Sequence, residues 1–239
     1  MQDLIRQERF ELEVLDRLNS KKLLKDLVFC GGTMLRLCFG LNRFSVDLDF
    51  WIMKEINMDK LFRDFKGCLS QCYELRDAAN KFHTILFEVR SKDYPRCLKI
   101  EIRKKPKTIN TEQAIAYSPH SNRQVILRVV SLPEMMQAKI AAFLERKEIR
   151  DVYDMEFLLK KGIRIDASDQ TLKKIVKTIE SFTQKDYTVK LGSLLEEGQR
   201  KYYISEHFKV IQSFASLVSD RLQCLPDDNR HKEQTPNPI

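Results

Sequence analysis

Two aspartates at alternate positions of a short apolar strand are the residues of this 239-residue chain that point most directly to chemistry. Asp47 and Asp49 flank Leu48 and precede Phe50, so both carboxylates share one strand face and the apolar side chains share the other. Like charges placed side by side are costly to bury unless a cation lies between them. We therefore predict a divalent metal ion at these aspartates and a substrate that carries phosphate. The alternative is a surface strand with two solvated acids.

A pair of glycines lies upstream of these aspartates, between a predicted buried strand at 27–30 and a predicted helix. Gly31 and Gly32 would let the backbone approach a phosphate closely, and a helix N-terminus offers free N–H groups to an anion. We expect Thr33 to cap this helix and Gly40 to end it in a left-handed conformation. The segment is not a Walker A loop, because no Gly-Lys-Ser/Thr sequence follows the glycines.

A third acid lies on another predicted strand, at 97–102. There Lys99, Glu101 and Arg103 share one face, opposite the apolar positions. If this strand neighbours the one with the two aspartates, Glu101 completes a metal site of three carboxylates, and Glu88 is the substitute if it does not. Alternatively, Glu101 only pairs with a basic side chain across the sheet.

Lys139 is the most unusual charge in the second half of the chain, because its neighbours one helical turn away are apolar. Its ammonium group either extends along the helix to solvent or meets an anion in a cleft. Arg146 lies on nearly the same helix face two turns later. The phosphates of a nucleotide would be the natural anion for both side chains.

A second helix is expected at about 151–161, after Arg150. The preferred interpretation of Asp151 is that it is the N-cap of this helix. Asp154, one turn further, could orient Lys139 or Arg150, or act as a base.

The order of predicted elements favours an α+β fold with two parts. Residues 1–130 read as an N-terminal helix followed by a mixed α/β unit with loops at 104–124. Residues 131–225 read as helical, and the polar, proline-containing segment 226–239 is expected to be disordered. Predicted strands in the first part lie at 27–30, 46–52, 83–89, 97–102 and 125–129.

Charge and composition favour an intracellular protein that binds a polyanion. The formal net charge is +8, and a basic cluster at 96–107 supplies much of it, which is typical of partners such as RNA, DNA or nucleotides. A solvated basic loop is the alternative explanation of that cluster. No apolar run is long enough for a membrane span, and the N-terminus lacks a secretion signal, so we expect a cytoplasmic protein with no membrane association. The cysteines and histidines have no zinc-site spacing.

Together these residues resemble the AbiEii-type nucleotidyltransferases, the toxin component of a class of bacterial toxin–antitoxin and abortive-infection systems. The resemblance covers about residues 29–161. The segments that match the family's motifs, in order, are Gly32-Thr33, Arg43-Phe44-Ser45, Asp47-Leu48-Asp49, Lys99-Ile100-Glu101, Glu134 with Ala138-Lys139, and Arg150-Asp151 with Asp154. Threonine replaces the serine of the family's opening motif, a change that keeps the hydroxyl group.

The resemblance implies a polymerase-β-like core with a helical C-terminal part. It also implies Mg²⁺-dependent transfer of a nucleoside monophosphate from an NTP to an acceptor such as a tRNA 3′ end, and an antitoxin protein as a partner. Transfer to a protein or small molecule, or a non-catalytic binding module with the same fold, are the alternatives. The implied metal ligands are Asp47, Asp49 and Glu101, and the implied catalytic residues add Lys139 and Asp154. With Arg146 added from its helix face, we expect the nucleotide-binding residues to be Gly32, Thr33, Arg43, Ser45, Lys139 and Arg146.

Overall fold

The computed structural model describes residues 1–223. Its strands form one seven-stranded mixed sheet in the order β3-β4-β5-β2-β1-β7-β6. The strands are β1 (Leu27–Cys30), β2 (Asp47–Ile52), β3 (Glu74–Asn80), β4 (Thr84–Arg90), β5 (Leu98–Arg103), β6 (Thr111–Tyr117) and β7 (Gln124–Val130). The expected α+β fold class is therefore confirmed.

Helices precede, interrupt and follow the sheet. In the first part of the chain they are α1 (Gln2–Ser20), α2 (Gly31–Phe39) and α3 (Met58–Ser70). After the sheet come α4 (Leu132–Arg146), α5 (Ile149–Lys160), α6 (Asp169–Glu180), α7 (Glu197–Glu206) and α8 (Lys209–Gln223). A π-helical turn at Asp186–Leu191 and a 3₁₀ turn at Gly192–Leu194 separate α6 from α7.

The centre of the sheet combines parallel and antiparallel pairs. Strand β1 pairs antiparallel with β2 and parallel with β7, and β2 pairs parallel with β5. The outer pairs β3–β4, β4–β5 and β6–β7 are antiparallel. All four residues of β1 are buried, which explains its uninterrupted apolar sequence. The sheet places β2 between β1 and β5, so its side chains have a fixed neighbour on each side.

The described residues from 1 to 130 form two strands more than expected. The segment 104–124 was predicted as loops, which is wrong for Thr111–Tyr117, because these residues form the edge strand β6. The other edge strand, β3, was also not predicted. The remaining predicted strands match observed ones within one residue at each end. The predicted disordered tail at 226–239 lies outside the described residues.

The helical part contacts the sheet part directly. The Phe44 amide donates a hydrogen bond to the Leu194 carbonyl at 2.9 Å, and Arg43 and Leu195 form an isolated antiparallel bridge. The helices α4 and α5 follow β7 and pack on each other. The division of the chain at residue 130 into two domains stays a prediction.

Candidate functional site

The parallel pairing of β2 with β5 brings the predicted carboxylates together. In the register of these strands Asp49 lies opposite Glu101, and Asp47 lies opposite Lys99. The condition that the sequence left open, that the two strands are neighbours, is therefore met. Glu88 lies on β4, opposite Lys99 and one strand further from β2. Geometry thus favours Glu101 over Glu88 as the third acid.

The carboxylates of the two aspartates have no direct hydrogen-bond or ion-pair partner among the residues whose side chains the structure describes. Within residues 1–217, no side chain or backbone group is hydrogen-bonded or ion-paired to the carboxylate of Asp47 or Asp49. Burial raises the pKa of Asp49 to about 6, with further contributions from the charges of Asp47 and Glu101. Burial also raises the pKa of Asp47. Such an arrangement favours a bound cation.

Glu101 differs from the aspartates because it already has basic partners. Its carboxylate lies 3.1 Å from the Lys99 ammonium and 3.8 Å from Nε of Arg103. These bases are on its own strand and not across the sheet, as the alternative interpretation had supposed. The side chains of Lys99 and Arg103 are about half exposed, so both ion pairs are weak. A stronger cation could therefore displace them.

We call the side chains of Asp47, Asp49 and Glu101 the carboxylate row. The start of α2 packs tightly against this row. Gly31 has a φ of 83°, and a Cβ atom there would lie 2.7 Å from Oδ2 of Asp49. Thr33 lies inside the helix, so its predicted capping role is wrong. Its hydroxyl instead donates a hydrogen bond to the Asp47 carbonyl at 2.5 Å. Gly40 does end the helix, with a φ of 78°. Hence α2 fixes the start of β2 directly.

Gly32 faces the segment that leads into β2. A Cβ atom at Gly32 would lie 2.5 Å from Nη2 of Arg43 and 2.9 Å from Oγ of Ser45. The predicted nucleotide-binding residues Gly32, Arg43 and Ser45 are therefore neighbours, beside the carboxylate row. A side chain at position 32 would occupy the space next to the Arg43 guanidinium group.

A network of charged side chains connects segment 43–45 to helices α4 and α5. We call it the cationic network, and its members are Arg43, Lys139, Arg146, Asp151 and Asp154. Nε and Nη2 of the Arg43 guanidinium group each donate a hydrogen bond of 2.7 Å, to Oδ1 and Oδ2 of Asp154 respectively. The Lys139 ammonium lies 2.6 Å from Oδ2 of Asp154 and 3.2 Å from Oδ1 of Asp151. Arg146 completes the network with hydrogen bonds of 2.6 and 2.7 Å to Asp151. Lys139 does not extend to solvent, since only 5% of its surface is exposed.

The cations of this network keep the carboxyl group of Asp154 ionised. Burial alone would raise the pKa of Asp154, but the charges and hydrogen bonds of Arg43 and Lys139 hold it below its usual range. Of the two orienting partners that the sequence suggested, Lys139 contacts Asp154. The prediction that Asp151 caps α5 is wrong, because Glu148 is at the cap position and Asp151 binds Lys139 and Arg146. Sequence reasoning therefore missed Asp151 as a member of the site.

Cations of α4 and α5 act on the two aspartates. The charge of Lys139 lowers the pKa of Asp49 against the effect of burial. The pKa of Asp47 is lowered in the same way by Lys99 on the neighbouring strand and by Arg150 of α5. The two groups of predicted residues are thus close enough to interact. Arg146 is the most peripheral member, because its side chain is 52% exposed.

The residues fit a metal site that a substrate completes. In the described part of the chain, no group of three His, Cys, Asp or Glu side chains is arranged to hold a metal ion by itself. The two aspartates nevertheless offer unpartnered carboxylate oxygens. Mg²⁺ in nucleotide-dependent enzymes is commonly held by one or two carboxylates together with substrate phosphates. Asp47 and Asp49 match that donor set.

The helices within residues 1–223 do not combine the length and the hydropathy that a membrane span requires.

Comparisons with known proteins agree with this geometry. Among solved structures, that of JHP933 from Helicobacter pylori is 24% identical in sequence, with a TM-score of 0.51, and the match covers 87% of this chain and 97% of JHP933. A second H. pylori structure, described as a candidate nucleotidyltransferase, is 21% identical with a TM-score of 0.50, and covers 88% of this chain and 97% of its own. These likenesses support the fold. No curated protein matches the chain.

The model of one protein family matches most of the sequence. It is the family described as nucleotidyl transferase AbiEii toxin, type IV TA system, and the match spans residues 13–220. The match includes the carboxylate row, the segment 43–45 and the network on α4 and α5. The chain therefore belongs to the AbiEii nucleotidyltransferase toxin family of type IV toxin–antitoxin systems.

Proposed function

We propose that this nucleotidyltransferase uses Mg²⁺ to move a nucleoside monophosphate from an NTP to the 3′ end of an RNA, most directly a tRNA. It would do so in the cytoplasm, as a toxin that an antitoxin counteracts. The observation that carries this proposal is the register of β2 and β5, which sets Asp49 opposite Glu101, while the two aspartate carboxylates have no hydrogen-bond or ion-pair partner within residues 1–217. A divalent cation would balance the charge of the two aspartates, and the substrate phosphates would complete the coordination of that cation.

Asp47 and Asp49 would hold the metal, and Glu101 would either join them or accept the proton of the acceptor hydroxyl. The metal would neutralise negative charge that develops on the phosphate oxygens and orient the reacting groups. The protein contributes position and charge, since phosphoryl chemistry needs little covalent help. Thr33 supports this arrangement, because its bond to the Asp47 carbonyl ties the first metal ligand to α2.

The triphosphate would lie beside the N-terminus of α2 and the cationic network. Gly32, Arg43 and Ser45 are neighbours there, Thr33 follows Gly32 in α2, and Lys139 is joined to Arg43 through Asp154. An ammonium group has three N–H donors, and the two contacts of Lys139 with aspartates leave one for a phosphate oxygen. Arg146 supports Asp151 from the more exposed side and can add a phosphate contact.

Within this scheme Asp154 orients cations. Both of its oxygens accept hydrogen bonds from Arg43, and the Lys139 ammonium group lies beside one of them. Its lowered pKa keeps it ionised, which suits a counter-ion and makes it a poor proton acceptor. We therefore propose that it holds Arg43 and Lys139 at the correct distance from the phosphates.

The basic segment after β5 supports an RNA acceptor. It begins at Arg103, beside Glu101, and continues through two lysines to Lys107. The Lys107 amide donates a hydrogen bond to the Ile52 carbonyl at 2.9 Å, and its ammonium group lies 3.3 Å from the centre of the Trp51 ring. The segment is thereby fixed to the end of β2, the strand that begins with Asp47. Arg103, which lies beside Glu101, and the lysines that follow it would bind the phosphates of an incoming nucleic acid.

A labelling experiment tests the reaction and the acceptor together. The protein is incubated with each α-³²P-labelled NTP, Mg²⁺ and total tRNA, and RNA and protein are separated on denaturing gels. We expect label at the RNA 3′ end that chelation abolishes. Asp49→Asn should reduce it at least 100-fold, whereas Asp77→Asn, which removes an exposed charge on β3, should not.

The other outcomes distinguish the alternatives. Label on protein or on a small molecule would replace RNA as the acceptor. Absence of label with every acceptor tested, in wild type and variant alike, would refute the enzymatic proposal. The toxin role is tested by inducing the wild type and Asp49→Asn in cells, where equal growth of the two cultures would refute it.

A further inference from the structure

The sequence analysis identified no motif in the last helices of the chain. A short segment between these helices is nevertheless hydrogen-bonded to residues 43–45, which lead into β2. We call residues 192–195, which follow the π-helical turn, the latch. Its Leu194 carbonyl accepts the hydrogen bond from the Phe44 amide at 2.9 Å, and its Leu195 bridges to Arg43. The latch therefore continues the backbone pairing of the segment 43–45, immediately before Asp47.

The latch itself is held by Arg200 of α7. The Nη2 atom of Arg200 donates a hydrogen bond to the Leu195 carbonyl at 3.3 Å. The side-chain stem packs on Gly192, where a Cβ atom would lie 3.3 Å from Cγ of Arg200 and 2.8 Å from the Tyr187 carbonyl oxygen. Leu195 is fully buried. Within the described residues, Nε of Arg200 is buried and has no hydrogen-bond partner. A buried donor without a partner is unfavourable, so packing holds this side chain in place.

The segment 43–45 is consequently fixed from two sides. On one side Gly32 lies against the Arg43 guanidinium group and the Ser45 hydroxyl. On the other side the latch holds the backbone at Arg43 and Phe44. Phe44 is 1% exposed, so its side chain adds a third restraint. A small movement of the latch would change the distance between Gly32 and the side chains of Arg43 and Ser45.

We propose that Arg200 is a positioning residue for nucleotide binding, which acts through the latch on Arg43 and Ser45. This inference rests on the proposed function, because it assumes that these two side chains lie against the triphosphate. It assigns a role in the reaction to the part of the chain beyond α6. Arg200 itself touches neither the carboxylate row nor the cationic network among the contacts described above.

Two variants and a matched control test the inference. Arg200→Met keeps an unbranched stem against Gly192 but removes the donor to Leu195, and Arg200→Lys restores a cationic donor. Lys201→Met is the control, because Lys201 is the next residue of α7, is exposed and forms an ion pair of 2.7 Å with Glu197 of the same helix. Each protein is assayed for KM and kcat with NTP, and hydrogen exchange of the Phe44 amide is followed by NMR.

We expect Arg200→Met to raise KM for NTP about fivefold, the effect of one lost hydrogen bond, with kcat within about twofold of the wild type. Exchange of the Phe44 amide should accelerate by a similar factor. Arg200→Lys should recover most of both effects, and Lys201→Met should change neither. Gly192→Ala, which pushes on the Tyr187 carbonyl and on Arg200, should reproduce the phenotype by a different route.

Unchanged exchange at Phe44 in Arg200→Met would overturn the inference, because Arg200 would then not hold the latch. Faster exchange with unchanged KM would overturn it too, since the latch would then be structural only. If Arg200→Met does not fold, Gly192→Ala decides by the same two measurements. If the wild type transfers no nucleotide, the proposed function fails. In that case the role of Arg200 in nucleotide binding is overturned as well. The exchange experiment still shows whether Arg200 fixes segment 43–45.

Discussion

Replacing Asp49 by asparagine should stabilise the metal-free protein while it abolishes nucleotide transfer. Asparagine has nearly the same size as aspartate, so the close contact with Gly31 changes little. The substitution removes one of three carboxylates in the row with Asp47 and Glu101, and it removes the one whose ionisation burial opposes most clearly. Stability and activity should therefore change in opposite directions.

The size and pH range of this effect follow from the pKa of Asp49. Its ordinary value is 3.8 and its value in the folded protein is about 6, a difference of about 2 units. At 1.36 kcal/mol per unit, the ionised carboxylate lowers the free energy of unfolding by up to about 3 kcal/mol. Because the folded-state pKa is the higher one, this penalty is absent below pH 4, grows between pH 4 and 6, and is complete above pH 6.

The measurement is thermal and urea unfolding of wild type and Asp49→Asn in a metal chelator, at pH 4 and at pH 8. We expect equal stability at pH 4 and a gain of up to about 3 kcal/mol for the variant at pH 8. For a chain of this length that gain corresponds to about 6–12 °C in Tm. Addition of Mg²⁺ with NTP should stabilise the wild type more than the variant, because only the wild type keeps both of the aspartates that we propose as metal ligands.

Asp154→Asn provides the opposite result with the same chemical change. The pKa of Asp154 is lowered, so its ionised form stabilises the fold above pH 4, and that contribution is lost as the pH falls. Its loss leaves Arg43 and Lys139 buried without their shared counter-ion, at a cost of about 3–5 kcal/mol.

The Asp49→Asn measurement can also refute the reasoning. If this variant were no more stable than the wild type at pH 8, the unfavourable burial of the Asp49 charge would be refuted.

Three further substitutions have defined outcomes. Gly31→Ala should lower activity at least tenfold, because its Cβ would meet Oδ2 of Asp49 at 2.7 Å. Gly162→Ala has a similar φ of 87° and open space around it, so it should show only the backbone strain of about 1–2 kcal/mol. Kinetic and unfolding measurements on both variants separate the effect of the contact from that of the strain. Thr33→Val should reduce kcat through the lost hydrogen bond to the carbonyl of Asp47, a proposed metal ligand, and an unchanged kcat would show that this bond is dispensable. Tyr203→Phe should lower the free energy of unfolding by about 1–3 kcal/mol, because its hydroxyl donates to the buried Glu156 carboxylate at 2.8 Å. KM should not change, because the hydrogen bonds that the described residues give to these two side chains involve Lys160 and not the nucleotide-binding residues.

The sequence predicted the central strands and missed the edge strands for a physical reason. Strands β1, β4, β5 and β7 bury alternate or all side chains, so their apolar residues leave a periodic pattern. Strand β3 contains only partly buried and exposed residues, and β6 has one buried residue. An edge strand with little burial has no hydrophobic period from which it can be recognised.

The site shows a similar division. Asp47, Asp49 and Glu101 could be proposed from their alternation on strands, because that pattern fixes the face on which each side chain lies. The contact of Arg43 with Asp154 joins residues 111 positions apart, and no local pattern encodes it. Asp151 was misinterpreted because capping is the commonest role of an aspartate near a helix start. Only the placement of α4 beside α5 shows that it serves Lys139 instead.

The parallel pairing of β2 with β5 also determines when the site can form during synthesis of the chain. Two parallel neighbours cannot be joined by a tight turn, and here α3, β3 and β4 lie between them in sequence. The carboxylate row therefore requires the chain to be complete to Glu101, the cationic network requires α5, and the bond to Phe44 requires Leu194. The carboxylates of Asp47, Asp49 and Glu101 are therefore synthesised before Lys139, whose charge acts on Asp49. Synthesis must pass four-fifths of the chain before all parts of the site are present.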